Sequence, residues 1–97
     1  MKHSLMILAA LILASSLAWA QEDGAALYRS RCASCHGATG EAQNIQSLRT
    51  TSLTHQQMTD LITHGKAGLR RPHQRGMSRL NADQAAAIAT YIETFRK

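Results

Sequence analysis

The run CASCHG places Cys32, Cys35 and His36 within five residues, and the 97-residue chain holds no other cysteine. A cysteine pair at this spacing can be a redox disulfide, half of a metal site, or an anchor for a covalently held group. A thioredoxin-like redox pair heads a helix that follows a β-strand, whereas the residues before Cys32, GAALYRSR, read as a helix. A structural zinc site needs four ligands, commonly two cysteine pairs or cysteines followed by closely spaced histidines. One pair is present, and His55 and His64 stand nine apart, outside that spacing.

The reading that uses all three residues is C-x-x-C-H, the attachment signature of a c-type haem. Two thiols three residues apart can each add to one vinyl group on a porphyrin edge, forming two thioethers. The adjacent imidazole then reaches beneath the ring and binds iron as the proximal ligand. On this reading Cys32 and Cys35 hold one haem c and His36 ligates its iron. Covalent attachment suits a chain with little core of its own.

That core is limited by the composition. Residues 1–20, MKHSLMILAALILASSLAWA, have a basic start at Lys2 and His3, an apolar run over 5–13, and Ala18 and Ala20 flanking Trp19. This is the pattern of a cleaved signal peptide, and the run is shorter than the roughly 20 residues of a membrane span. Cleavage after Ala20 and export to the periplasm are expected, leaving residues 21–97 as a single domain. Three large aromatic side chains remain in it: Tyr28, Tyr91 and Phe95. Domains this small bury little apolar surface and usually take a staple such as a metal or cofactor. Loss of Lys2 lowers the formal net charge from +5 to +4. An exported domain seldom meets nucleic acid, so an acidic protein partner is the expected counterpart.

Three helices are predicted to position the motif. The first is capped near Asp23 and carries Ala25, Tyr28, Cys32 and Cys35 at helical spacing. The second starts at Thr54, where Gln57 completes a capping box and Leu53 and Met58 occupy staple positions, and Gly65 ends it. The third starts at Asn81, with Gln84 three residues on, and aligns Ile88, Ile92 and Phe95 on one stripe. No segment reads as a strand, and residues 37–52 form a long polar connection that suits packing around a cofactor.

GAALYRSRCASCHG is similar to the N-terminal helix and haem motif of the class I c-type cytochromes, and NADQAAAIATYIETF resembles their C-terminal helix. The resemblance covers nearly all of residues 21–97, with its specificity in the motif and the two bracketing helices. It implies an all-α cytochrome c fold, about three helices wrapped around one covalent haem. It also implies a methionine as the sixth iron ligand, supplied between the middle and last helices, where Met77 stands. A thioether there raises the potential and makes an electron carrier. His73, four residues earlier, is the alternative ligand. The family's proline carbonyl beneath the axial histidine has no counterpart, because the one proline is Pro72. Another carbonyl within 37–52 is therefore expected to hold the ring, as ligating histidines nearly always have such a partner.

The remaining charged and basic residues follow from this arrangement. Arg70, Arg71, Arg75 and Arg79 surround Met77 and would form a basic rim at the haem edge for an acidic redox partner. His64 is expected at a helix end and His55 solvated in a first turn. Two functions fit. One is a periplasmic electron carrier, or the cytochrome subunit of a larger oxidoreductase, with no catalytic residue of its own. The other is a haem protein whose open sixth site takes a small ligand or anion, with His73 as its distal acid-base group.

Overall fold

The computed structural model describes residues 23–97. The signal peptide expected at residues 1–20 lies outside them. Asp23 caps α1 (Gly24–Arg31) by accepting the Ala26 N–H at 3.2 Å. A short α2 follows over Ala33–His36. Thr54 and Gln57 exchange hydrogen bonds of 3.1 and 2.8 Å to open α3 (His55–His64), which Gly65 ends at φ 71°. Asn81 and Gln84 make the same reciprocal pair, 2.8 and 2.9 Å, to open α4 (Ala82–Glu93).

The fold is all-α, with no strand among the described residues. It departs from the expected three helices at Cys32, where φ of −122° interrupts the first one, although the Cys32 N–H still donates to the Tyr28 carbonyl at 2.8 Å. An unbroken helix sets residues three apart on one face. The break separates them, leaving Cys32 buried and Cys35 exposed.

α4 packs against both α1 and α3. Its Ala85, Ile88, Ala89 and Ile92 meet Tyr28, Cys32, Met58, Ile62 and Leu80 in one core cluster. α1 approaches α4 backbone to backbone: a Cβ at Gly24 would sit 2.1 Å from the Ala87 carbonyl oxygen. Tyr28 is fully buried, its ring 5.3 Å from that of Tyr91 and 5.5 Å from that of Phe95. Its hydroxyl donates to the Gly37 carbonyl at 2.7 Å, so the aromatic core is tied to the turn that carries His36.

Burial pushes the Tyr28 phenol from 10.0 up to about 12. Between those values the folded state holds a proton that the unfolded state has released, so stability is intact below pH 10 and is lost as pH rises towards 12. Denaturation midpoints should fall through that window, and Tyr28→Phe should flatten the fall. A wild-type midpoint that rises across the window would contradict this.

Two connections complete the chain. Residues 37–54 close on themselves: the Glu41 carboxylate accepts the Ala38 and Thr39 N–H groups, and the Gly40 carbonyl accepts the Leu48 N–H at 3.0 Å. The C-terminus holds this connection in place, with the Lys97 N–H donating to the Arg49 carbonyl at 2.7 Å and the Arg96 guanidinium donating to Leu53. Residues 66–80 fold back on the end of α3, where Met77 N–H donates to the Ile62 carbonyl at 2.8 Å. Gly76 makes this possible: its φ is 91°, and a Cβ there would lie 2.3 Å from the Thr63 carbonyl oxygen. Gly68 has nearly the same φ, 92°, but open space around it. Gly68→Ala should therefore cost about 1 kcal/mol of backbone strain, and Gly76→Ala about 1–3 kcal/mol more from the added clash. Equal losses in thermal midpoint for the two variants would count against the close approach.

Candidate metal centre

The three motif residues arrive on one tight turn. Cys35 and His36 donate to the Cys32 carbonyl at 3.3 and 3.0 Å, and Gly37 donates to Ala33 at 2.8 Å. Gly37 then leaves the turn at φ 89°, and its carbonyl takes the Tyr28 hydroxyl. Cys32 and Cys35 are both free thiols. Burial pushes the Cys32 thiol up to about 11, against the lowering pull of Arg31. Redox dithiols act through a thiolate of depressed pKa. Cys32 is set the opposite way and is protonated at neutral pH.

His36 is half-buried, and its ring centre lies 6.0 Å from that of His73, with the planes inclined by 44°. Nδ1 of each ring is buried with no hydrogen-bond partner among the described residues. An unpaired buried polar atom costs about 1–3 kcal/mol. Neither ring is fixed through Nδ1 by a protein acceptor among the described residues. Burial lowers the pKa of both histidines, and for His36 the adjacent His73 adds to the effect. Neutral imidazole is the form that binds metals. Among the described residues no group of three or more His, Cys, Asp or Glu is placed to hold an ion.

The carbonyl expected to hold the His36 ring is not supplied, since Nδ1 has no acceptor among the described residues. Three carbonyls close to the turn accept other donors. Gly37 accepts from Tyr28, Gly40 from Leu48 and the Ser47 hydroxyl, and the His36 carbonyl accepts the Ala42 N–H at 3.0 Å.

Met77 is half-buried against the core cluster and lines a cavity of about 360 Å³ with Arg31, Arg71 and Arg75. Arg70, Arg71, Arg75 and Arg79 are all exposed, as a basic rim requires. His64 ends α3 and is exposed. His55 keeps a partly exposed side chain in the first turn of α3, with its Nδ1 3.7 Å from the Glu93 carboxylate. Two arginines escaped the sequence reading. Arg31 reaches the Ser78 carbonyl at 2.8 Å and so joins the motif helix to the loop of Met77. Arg49 buries its Nε without a partner among the described residues, and nothing in the surrounding polar run signals it.

A family model described as cytochrome C oxidase, cbb3-type, subunit III matches residues 20–92. The chain belongs to this family. It is a small c-type cytochrome whose chemistry is haem-based electron transfer. No curated protein and no solved structure matches it. The residues of this cytochrome fit the haem its family implies: two unbridged thiols share one turn with a neutral imidazole, beside two unpartnered buried nitrogens. Among the described residues no helix is long and apolar enough to cross a membrane.

Proposed function

We propose that the protein is a periplasmic electron carrier holding one haem c, acting alone or as the cytochrome subunit of a larger oxidoreductase. Cys32 and Cys35 are its thioether anchors and His36 its proximal iron ligand. The observation that carries this reading is the clamped turn, with two free thiols and a half-buried imidazole whose Nδ1 is unpartnered among the described residues. When bound, the haem supplies one-electron exchange at iron.

The chain's own residues do the rest. Cys32 and Cys35 would hold the haem as thioethers, each thiol giving its sulfur and its proton to one vinyl group, so the attachment would need no oxidant. Burial keeps the Cys32 thiol protonated in the fold. His36 offers a neutral ring because burial and His73 disfavour its proton. The Tyr28 hydrogen bond to Gly37 fixes the turn that presents His36. Export rests on the leader pattern of residues 1–20.

The exposed Arg70, Arg71, Arg75 and Arg79 give the loop after α3 a basic face suited to an acidic redox protein. Transfer rates to such a partner should fall as salt rises. Arg70→Glu with Arg71→Glu should lower the rate at low salt by about tenfold, because opposite charge steers encounter. Rates indifferent to salt would overturn the docking surface. Carbon monoxide separates the carrier from the ligand-binding alternative: a reduced carrier should bind it slowly or not at all, and ready binding would contradict the carrier reading.

A further inference from the structure

We infer that His73, rather than Met77, is the second axial ligand, so that the iron sits between two imidazoles. This rests on the haem reading above and adds the ligand that reading leaves open.

Three observations converge on His73. The first is distance. A metal–imidazole nitrogen bond is about 2 Å, so two imidazoles on opposite sides of one metal stand roughly 6 Å apart, centre to centre. The His36 and His73 rings are 6.0 Å apart. The second is satisfaction. The two rings carry two of the three buried side-chain nitrogens that lack a partner among the described residues, although they come from segments far apart in the chain. A merely structural histidine would spend those nitrogens on carbonyls, as buried polar atoms do. Two imidazoles with no third ligand among the described residues cannot enclose a bare ion, but a porphyrin brings four nitrogens of its own and needs only the two axial positions filled.

The third observation is how His73 is held. Its N–H donates to the Arg70 carbonyl at 2.9 Å, and its carbonyl accepts the Lys66 N–H at 2.8 Å. Both backbone groups of one residue are thus fixed within the loop, and the loop itself is pinned to α3 through Gly76 and Met77. Ligating side chains are presented by backbone fixed in this way. Met77 has a different environment: it packs against the core cluster and borders the cavity shared by Arg31, Arg71 and Arg75. The consequence for function is a lower reduction potential than a His–Met site would give, since a thioether axial ligand raises it.

The test is spectroscopic and uses the intact haem-loaded protein. The oxidised wild type should be low-spin and lack the charge-transfer band of sulfur-ligated iron at the edge of the near infrared. Met77→Leu should leave the spectrum and potential unchanged. His73→Ala should turn the oxidised iron high-spin and raise the rate of carbon monoxide binding to the reduced form by about tenfold or more. His73→Met, which keeps a ligand at the position, should create the sulfur band and raise the potential. A sulfur band in the wild type that Met77→Leu abolishes would overturn the inference while leaving the haem reading intact. A chain that carries no covalent haem would remove both, and mass spectrometry of the same samples distinguishes the two failures.

Discussion

Replacing both Cys32 and Cys35 with serine should abolish covalent haem and, with it, most of the folded protein. The domain buries nine hydrophobic residues in its core, three of them from the set Ala and Cys. Such a core leaves little margin against the conformational entropy of the chain. A haem tethered by two thioethers would stay beside the chain at high effective concentration, so its packing and ligation in the folded state would supply stability that the side chains lack. The double variant should show no haem stain on a denaturing gel, and its accumulation should fall by about tenfold or more because unfolded chains are degraded. Cys35→Ser alone should retain a single thioether through Cys32 and keep the haem stain. A double variant that still carries haem through denaturation would disprove attachment at these residues.

Tyr28→Ala should be the most damaging substitution away from the motif. Tyr28 is fully buried, faces Tyr91 and Phe95 at 5.3 and 5.5 Å, and ties the Gly37 carbonyl to the core. Truncating a large buried aromatic residue costs about 3–5 kcal/mol. Small domains have only about 5–15 kcal/mol in total. Tyr28→Phe keeps the ring packing and loses one hydrogen bond, for about 1 kcal/mol. The difference between the two variants in urea midpoint therefore measures the ring itself. Equal midpoints would mean that Tyr28 acts through its hydroxyl alone.

Much of this framework was legible in the sequence because it is encoded locally. Asp23, Thr54 with Gln57, and Asn81 with Gln84 each open a helix through bonds spanning three residues, and the same spacing exists in the chain before it folds. The CxxCH turn is equally local. What the sequence concealed depends on long-range placement. The break at Cys32 separates a cysteine buried in the core from its exposed neighbour three residues on. The approach of His73 to His36 depends on how residues 66–80 fold back onto α3 through Gly76, and no pattern around His73 announces it. The sequence favoured Met77, with His73 four residues earlier as the alternative. The Gly37 and Gly40 carbonyls take Tyr28, Ser47 and Leu48 as donors, and nothing local in the sequence signals that choice.

The central claim is covalent attachment of one haem at Cys32 and Cys35, and the intact mass of the protein purified from cells after acid extraction tests it most directly. The account expects a chain beginning at Gln21 and carrying the mass of one haem that acid does not remove. A mass equal to the polypeptide alone, with haem released into the extract or absent, would contradict it.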